Sequence, residues 1–334
     1  MGPPKLKAWI GAALLLISAP ARADADAHVA LMAGGVEKII YLPVVLADRL
    51  GFYREQGLTV ELQSEPVGGE AGDDLLAGVV DGVVGFYDHT IDLQARGKFV
   101  EAIVVIGQTP GEAELVSTRL ADRIRSPADF KGLALGVTGL GSSTVLLTQY
   151  LALDHGVALR DLTLVPVGAG DPFIDAMRQG RIDVGMTTEP TISRALKSGT
   201  AQLLVDLRTP DGTRQALGGM YPGACLYVTS AWAASHRQSA ERLAKGVVEA
   251  LHYIAGHSAE EIAEIVPAAY LAGDKSAYVS ALAANKAWFT ADGKMPVDGP
   301  PRVLTILSDV SPNLRNKPID LSRTHTDEFV DKAQ

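Results

Sequence analysis

Gly78-Val79-Val80-Asp81, followed by Asp88-His89-Thr90-Ile91 and Gly97, returns about a hundred residues later as Gly180-Arg181-Ile182-Asp183, Glu189-Pro190-Thr191-Ile192 and Gly199. In each copy a helical segment ends at glycine, a short apolar run follows, and an acidic residue opens the next helix. Glycine suits a helix C-terminus because it takes the left-handed conformation without a Cβ clash. An acid at a helix start accepts from free N–H groups and suits the positive end of the dipole. The repeated strand–acid–helix unit predicts two similar α/β halves. Asp88 and Glu189 then either cap their own helices or face one shared crevice at strand carboxyl ends, where ligands of open α/β sheets bind.

Outward from that repeat the chain keeps alternating. Apolar runs at 29–32, 58–62, 83–87 and 102–106 read as strands, with helices at 39–56, 73–80 and 91–96. The pattern resumes with strands at 133–137, 162–167, 183–186 and 203–207 and helices at 142–154 and 173–179; beyond residue 240 the chain is mainly helical. Such alternation predicts parallel sheets covered on both faces.

Composition bounds the function. A chain of 334 residues with 47% hydrophobic and 21% charged residues has ample core, and its length exceeds what one core usually fills. Thirty Lys+Arg against 39 Asp+Glu, a net charge of −9, leaves no broad basic face for nucleic acid. The single cysteine, Cys225, excludes an internal disulfide and a multi-cysteine metal centre. Lys5 and Lys7 precede an apolar run at 8–19 and then Ala21-Arg22-Ala23. A basic start, a short apolar stretch and a small-x-small site describe a secretory signal, too short for a spanning helix of ~20 residues. The expectation is residues 1–23 as signal, cleavage after Ala23, and a soluble monomer exported to a periplasm.

From Gly136 to Thr144 the chain reads Gly-Val-Thr-Gly-Leu-Gly-Ser-Ser-Thr, a strand running through a glycine-rich turn into a helix. The free N–H groups of such a helix start attract anions. A nucleotide P-loop is excluded, because the residue before Ser143 is Ser142 and not lysine. No Gly-x-Ser-x-Gly elbow and no His-Glu-x-x-His motif occurs, so no catalytic residue, metal or cofactor is expected. His89 falls in a loop at a strand end. Tyr41, Phe86 and Tyr87 lie at element ends, where pockets form.

Gly51-Phe-Tyr-Arg-Glu-Gln-Gly-Leu-Thr-Val-Glu61 resembles a segment of the periplasmic nitrate/sulfonate/taurine-binding proteins, a family that also includes binders of thiamine-pyrimidine precursors. The same landmarks follow in order: Arg125-Ser-Pro-Ala-Asp-Phe-Lys-Gly132, Gly141-Ser-Ser-Thr144, Asp161-Leu-Thr-Leu-Val-Pro-Val167, Gly180-Arg-Ile-Asp183 and Glu189-Pro190. The resemblance implies an α/β type II periplasmic binding protein fold: two doubly wound lobes, joined by a double crossover, with a ligand cleft between them. One lobe would hold 28–110 plus 218–334, the other 111–217. By position, the implied ligand-facing residues are Gly35, Tyr41, Phe86, Tyr87, Asp88, His89, Gln108, Gly141, Ser142, Ser143, Thr144, Asp171, Thr188, Glu189 and Tyr221.

The resemblance further implies the solute receptor of an ABC importer, working with permease and ATPase subunits. A sensor subunit serving a receptor kinase would have the same binding chemistry. A thiamine-pyrimidine synthase shares the fold, but is intracellular and has a cysteine-rich segment. The glycine–serine turn favours a small organic anion, a sulfonate or carboxylate. Glu189 nearby favours instead a neutral or cationic nitrogen heterocycle.

Overall fold

Ten strands pair into two five-stranded sheets in a computed structural model that describes residues 1–2, 27–271 and 273–333. The expected export signal lies almost wholly outside the described residues. The strands are β1 (Ala27–Ala33), β2 (Leu58–Ser64), β3 (Gly82–Phe86), β4 (Val100–Val105), β5 (Glu112–Ser117), β6 (Ala134–Val137), β7 (Thr163–Pro166), β8 (Val184–Thr188), β9 (Ala201–Asp206) and β10 (Ala224–Thr229). Their orders are β2-β1-β3-β10-β4 and β7-β6-β8-β5-β9. These match position for position, so the repeat seen in the sequence is one of topology.

The repeat also has a local cause. Asp81 Oδ2 accepts from Ala30 N at 2.9 Å, tying the entry of β3 to β1, and Asp183 Oδ2 accepts from Ala134 N at 3.0 Å, tying the entry of β8 to β6. Gly78 and Gly180 precede them at φ 74° and 72°, a conformation that a side chain would strain.

The expectation of parallel sheets needs correction at one strand in each. β10 runs antiparallel to β3 and β4, and β5 runs antiparallel to β8 and β9. Both are the first strands after the chain crosses between sheets, and each enters from the far end. The two crossing segments lie side by side, with Gly111 N donating to Leu207 O at 3.2 Å and Gly223 N to Gly107 O at 3.0 Å.

The expected helix at 39–56 is also divided. A 3-10 turn, Ile39–Tyr41, leads into Leu42–Arg49, and Gly51 at φ 86° separates that helix from Phe52–Glu55. One core packs β1, β3, β4 and β10 against the helices Leu42–Arg49 and Arg237–Gly256. A second gathers Tyr87, Ile91, Leu147, Leu151, Val303 and Ile306, joining elements of both halves. Each fully buried aliphatic of this kind contributes roughly 1.5–3 kcal/mol. No described helix is long and apolar enough to cross a membrane, and Cys225 is a buried free thiol.

Candidate functional site

β3 ends at Phe86 and the helix Asp88–Ala95 begins two residues on; β6 ends at Val137 and, after a glycine turn, the helix Ser143–Asp154 begins. The first residues of these two helices meet across the gap between the sheets. Ser143 Oγ donates to Asp88 Oδ1 at 2.9 Å, Tyr221 Oη donates to Asp88 Oδ2 at 2.8 Å, and His89 Nδ1 lies 3.6 Å from Oδ1. Burial, then the Asp88 charge, push the Tyr221 phenol well up, so it stays a donor. The Ser143 hydroxyl at the start of its helix is therefore bound to the protein's own carboxylate, Asp88.

Around this junction lies a chamber of about 20 Å³, room for a water molecule. The first sheet contributes Gly34, Lys38, Tyr41, Phe86 and His89; the second contributes Glu112, Thr138, Ser142, Ser143 and Thr188. A larger cavity of about 750 Å³ opens beside it between residues 67–73 and 138–149, with 310–313 along one side. That volume suits a ligand pocket. Gly68, His89, Thr138 and Ser142 line both spaces, so His89 stands at their common wall.

Three buried groups set the electrostatics. Lys38 donates through Nζ to Gly34 O and, at 3.0 Å, to Pro66 O. Burial lowers its pKa, opposed by Glu37, Glu112 and Glu65. Glu112 is 2% exposed and its Oε2 has no hydrogen-bond partner. Burial pushes its carboxyl well up, Asp88 and Glu114 add to the rise, and Lys38 opposes it. Glu114, two residues along β5, accepts from Thr148 Oγ1 at 2.9 Å while its Oε1 is buried without a partner. Burial raises its pKa to about 8.

The residues expected from sequence divide into groups. Tyr41, Phe86, His89, Ser142, Ser143 and Thr188 line the chamber, Gly141 lines the larger cavity, and Asp88 and Tyr221 form the junction. Thr144 Oγ1 accepts from Thr138 N at 3.1 Å and shapes the turn. Gly35 turns the chain at φ 100°, beside Gly34, which does line the chamber. The others face elsewhere. Tyr87 Oη meets Thr324 Oγ1 at 2.6 Å. Gln108 Nε2 donates to Ala287 O at 2.7 Å, and the exposed Asp171 pairs with Arg194.

Glu189, fully buried, accepts from Ser193 N at 2.9 Å and from Arg208 Nη1 at 2.8 Å, and lines neither space. It caps its helix and neutralises Arg208, which is also bound to Asp206. Among the described residues, no cluster of three or more His, Cys, Asp or Glu is placed to hold a metal.

Sequence reasoning missed Glu112 and the stretch 67–73, while Lys38 falls inside a segment, 34–41, expected to face the ligand. For Glu112 the available signal was the pair of acids in Glu112-Ala113-Glu114-Leu115-Val116, since residues two apart share one face of a strand. Nothing local marked Lys38 as buried.

The sequence profile of the family described as NMT1/THI5 like matches residues 39–261. The chain belongs to that family. A solved protein of Bordetella bronchiseptica RB50 is similar to this NMT1/THI5-like chain at 33% identity and a TM-score of 0.87, over 92% of this chain and 96% of that one. The periplasmic aliphatic sulphonate-binding protein SsuA of Escherichia coli superposes with a TM-score of 0.64 at 20% identity, over 89% of this chain and 91% of that one. The NMT1/THI5-like chain therefore has the periplasmic binding protein fold: two doubly wound lobes, a double crossover and a cleft between them. The bicarbonate transport ATP-binding protein CmpC of Synechocystis sp. is 27% identical over 251 residues, 70% of this chain. The chain spans 36% of the length of that relative.

Proposed function

We propose that this chain is the solute-binding component of an ABC-type importer, exported to the periplasm as a monomer and presenting its loaded form to permease and ATPase subunits. The lobes are 28–110 plus 218–334 and 111–217, a division supported by strand membership. The observation that carries the reading is the meeting of two helix N-termini, one from each sheet, at a buried chamber beside a ligand-sized cavity. Such a junction forms when the lobes close on a solute and separates when they open.

Two ligand classes remain from the sequence. The small organic anion draws support from the turn at Ser142–Thr144, and the nitrogen-bearing ligand from the carboxylates at the chamber. We read the site as non-enzymatic. Ser143, His89 and Asp88 lie together, but Ser143 donates to the carboxylate and not to the imidazole, so the serine–histidine pair of a nucleophilic triad is not formed. X-ray scattering of the mature protein with and without candidate solutes tests the proposal. Compaction is expected with any solute that raises the melting point; a bound solute with no compaction counts against it.

A further inference from the structure

We propose that closing the cleft takes up one proton from solvent onto Glu112, so that falling pH favours the closed form and, with it, solute affinity. This rests on the solute-binding reading and adds a regulation to that same site. Glu112 opens β5 one residue after Gly111, where the chain has just crossed between the sheets. It lines the chamber between the lobes, is 2% exposed, and leaves Oε2 without a partner. The first lobe supplies one wall of that chamber through Lys38, Tyr41 and His89. Separating the lobes removes this wall and returns water to the carboxyl, so closure is the step that dehydrates it.

The charges around the chamber decide where the proton goes. Facing Glu112 from the first lobe are Lys38, Asp88, His89 and the phenols of Tyr41 and Tyr221. From the second lobe come Glu114 on the same strand and, at the end of β9, Asp206 and Arg208. Arg208 is bound by Glu189 and Asp206. Lys38 donates to Gly34 O and Pro66 O, carbonyls of its own lobe, so closure leaves those bonds unchanged. Asp88 has a hydroxyl donor on each oxygen, whereas Glu112 Oε2 has none. Two buried carboxylates against the Lys38 ammonium make a costly excess of charge, and the proton settles on the acid that lacks donors. Burial pushes the Glu112 carboxyl well up, Asp88 and Glu114 add to the rise, and Lys38 opposes it. With the lobes apart it returns toward the ordinary 4.5. Between those values closure binds a proton, so the closed-to-open ratio falls as pH rises, by up to about tenfold per pH unit. A solute held by the closed form binds in proportion to that population. Glu114 keeps a proton too, but its partner Thr148 lies in the same lobe, so folding sets that proton and closure does not move it.

X-ray scattering of the ligand-free mature chain, followed as pH is raised from the ordinary carboxylate range into the alkaline range, reads the closed fraction without any solute, with circular dichroism confirming that the chain stays folded. The wild type is expected to be compact at the acid end and to expand as pH rises. Glu112→Gln fixes the neutral form and should stay compact throughout, and the apolar Glu112→Met should do the same. His89→Gln and Glu114→Gln should keep the wild-type response, which separates Glu112 from the two other titratable groups beside it. A folded wild type whose size is independent of pH overturns the proposal, as does a pH response that survives in both Glu112 variants or vanishes in His89→Gln. Each of these results leaves the solute-binding reading standing, because that reading is decided by compaction on adding solute. A chain that compacts neither with acid nor with any solute counts against both.

Discussion

Glu114 is a buried carboxyl with one oxygen bound to Thr148 and the other unpartnered, held at a pKa of about 8 where 4.5 is ordinary. The folded state keeps a proton that the unfolded chain releases, so stability is fullest below about pH 4.5 and declines as pH rises to about 8. At about 1.4 kcal/mol per unit the loss amounts to a few kcal/mol. Glu114→Gln fixes the neutral form, and its melting point should gain on the wild type steadily across that interval. Parallel melting curves at all pH values would refute this. Glu189 behaves differently, because Ser193 and Arg208 already satisfy it. Glu189→Gln should cost about 1–3 kcal/mol of stability, measured by denaturant unfolding, and leave solute affinity unchanged. The acid at this position was legible in the sequence and its partner was not, since Arg208 lies nineteen residues further along and the pairing exists only once β9 is in place.

Elements built on hydrophobic alternation were legible because their pattern is local. β1, β3, β6 and β8 fell close to their expected ranges, and so did the helix Ser143–Asp154. The two antiparallel strands were not read. β10 is a continuous apolar run with no period, and β5 carries Glu112 and Glu114, residues that strands disfavour unless tertiary surroundings take them in. The site's carboxylate therefore sits on an element that propensity argues against. Where two elements meet at Ser143 and Asp88, the protein's own carboxylate stands beside the expected anion cradle, bound through the Ser143 hydroxyl. Ser143→Ala removes the hydroxyl between the lobes but leaves the helix's N–H groups and the Tyr221–Asp88 bond. Solute affinity should fall by about 1–2 kcal/mol with little change in the ligand-free melting point. A drop in the melting point with unchanged affinity would make this contact part of the fold and not of closure.

At the scale of the molecule, closure depends on backbone meeting backbone. Gly69, in the helix Gly68–Ala77, lies so near the turn before the Ser143 helix that an added Cβ would stand 2.8 Å from Gly141 O, and a Cβ at Gly139 would stand 2.8 Å from Val67. Gly69 has no positive φ to demand glycine, so the close approach across the cleft is what excludes a side chain. Alanine is the better helix former by up to ~1 kcal/mol. Gly69→Ala should therefore leave the ligand-free protein as stable as the wild type or slightly more so, while blocking the approach of 67–73 to 138–141. The measurable pair is opposite in sign: an unchanged or raised melting point without solute, and affinity weakened by roughly tenfold or more with scattering that stays expanded on solute addition. A contact merely structural in either lobe would lower the melting point and spare the affinity. Wild-type affinity with normal compaction in Gly69→Ala would show that the lobes close on solute without bringing these two glycine segments together.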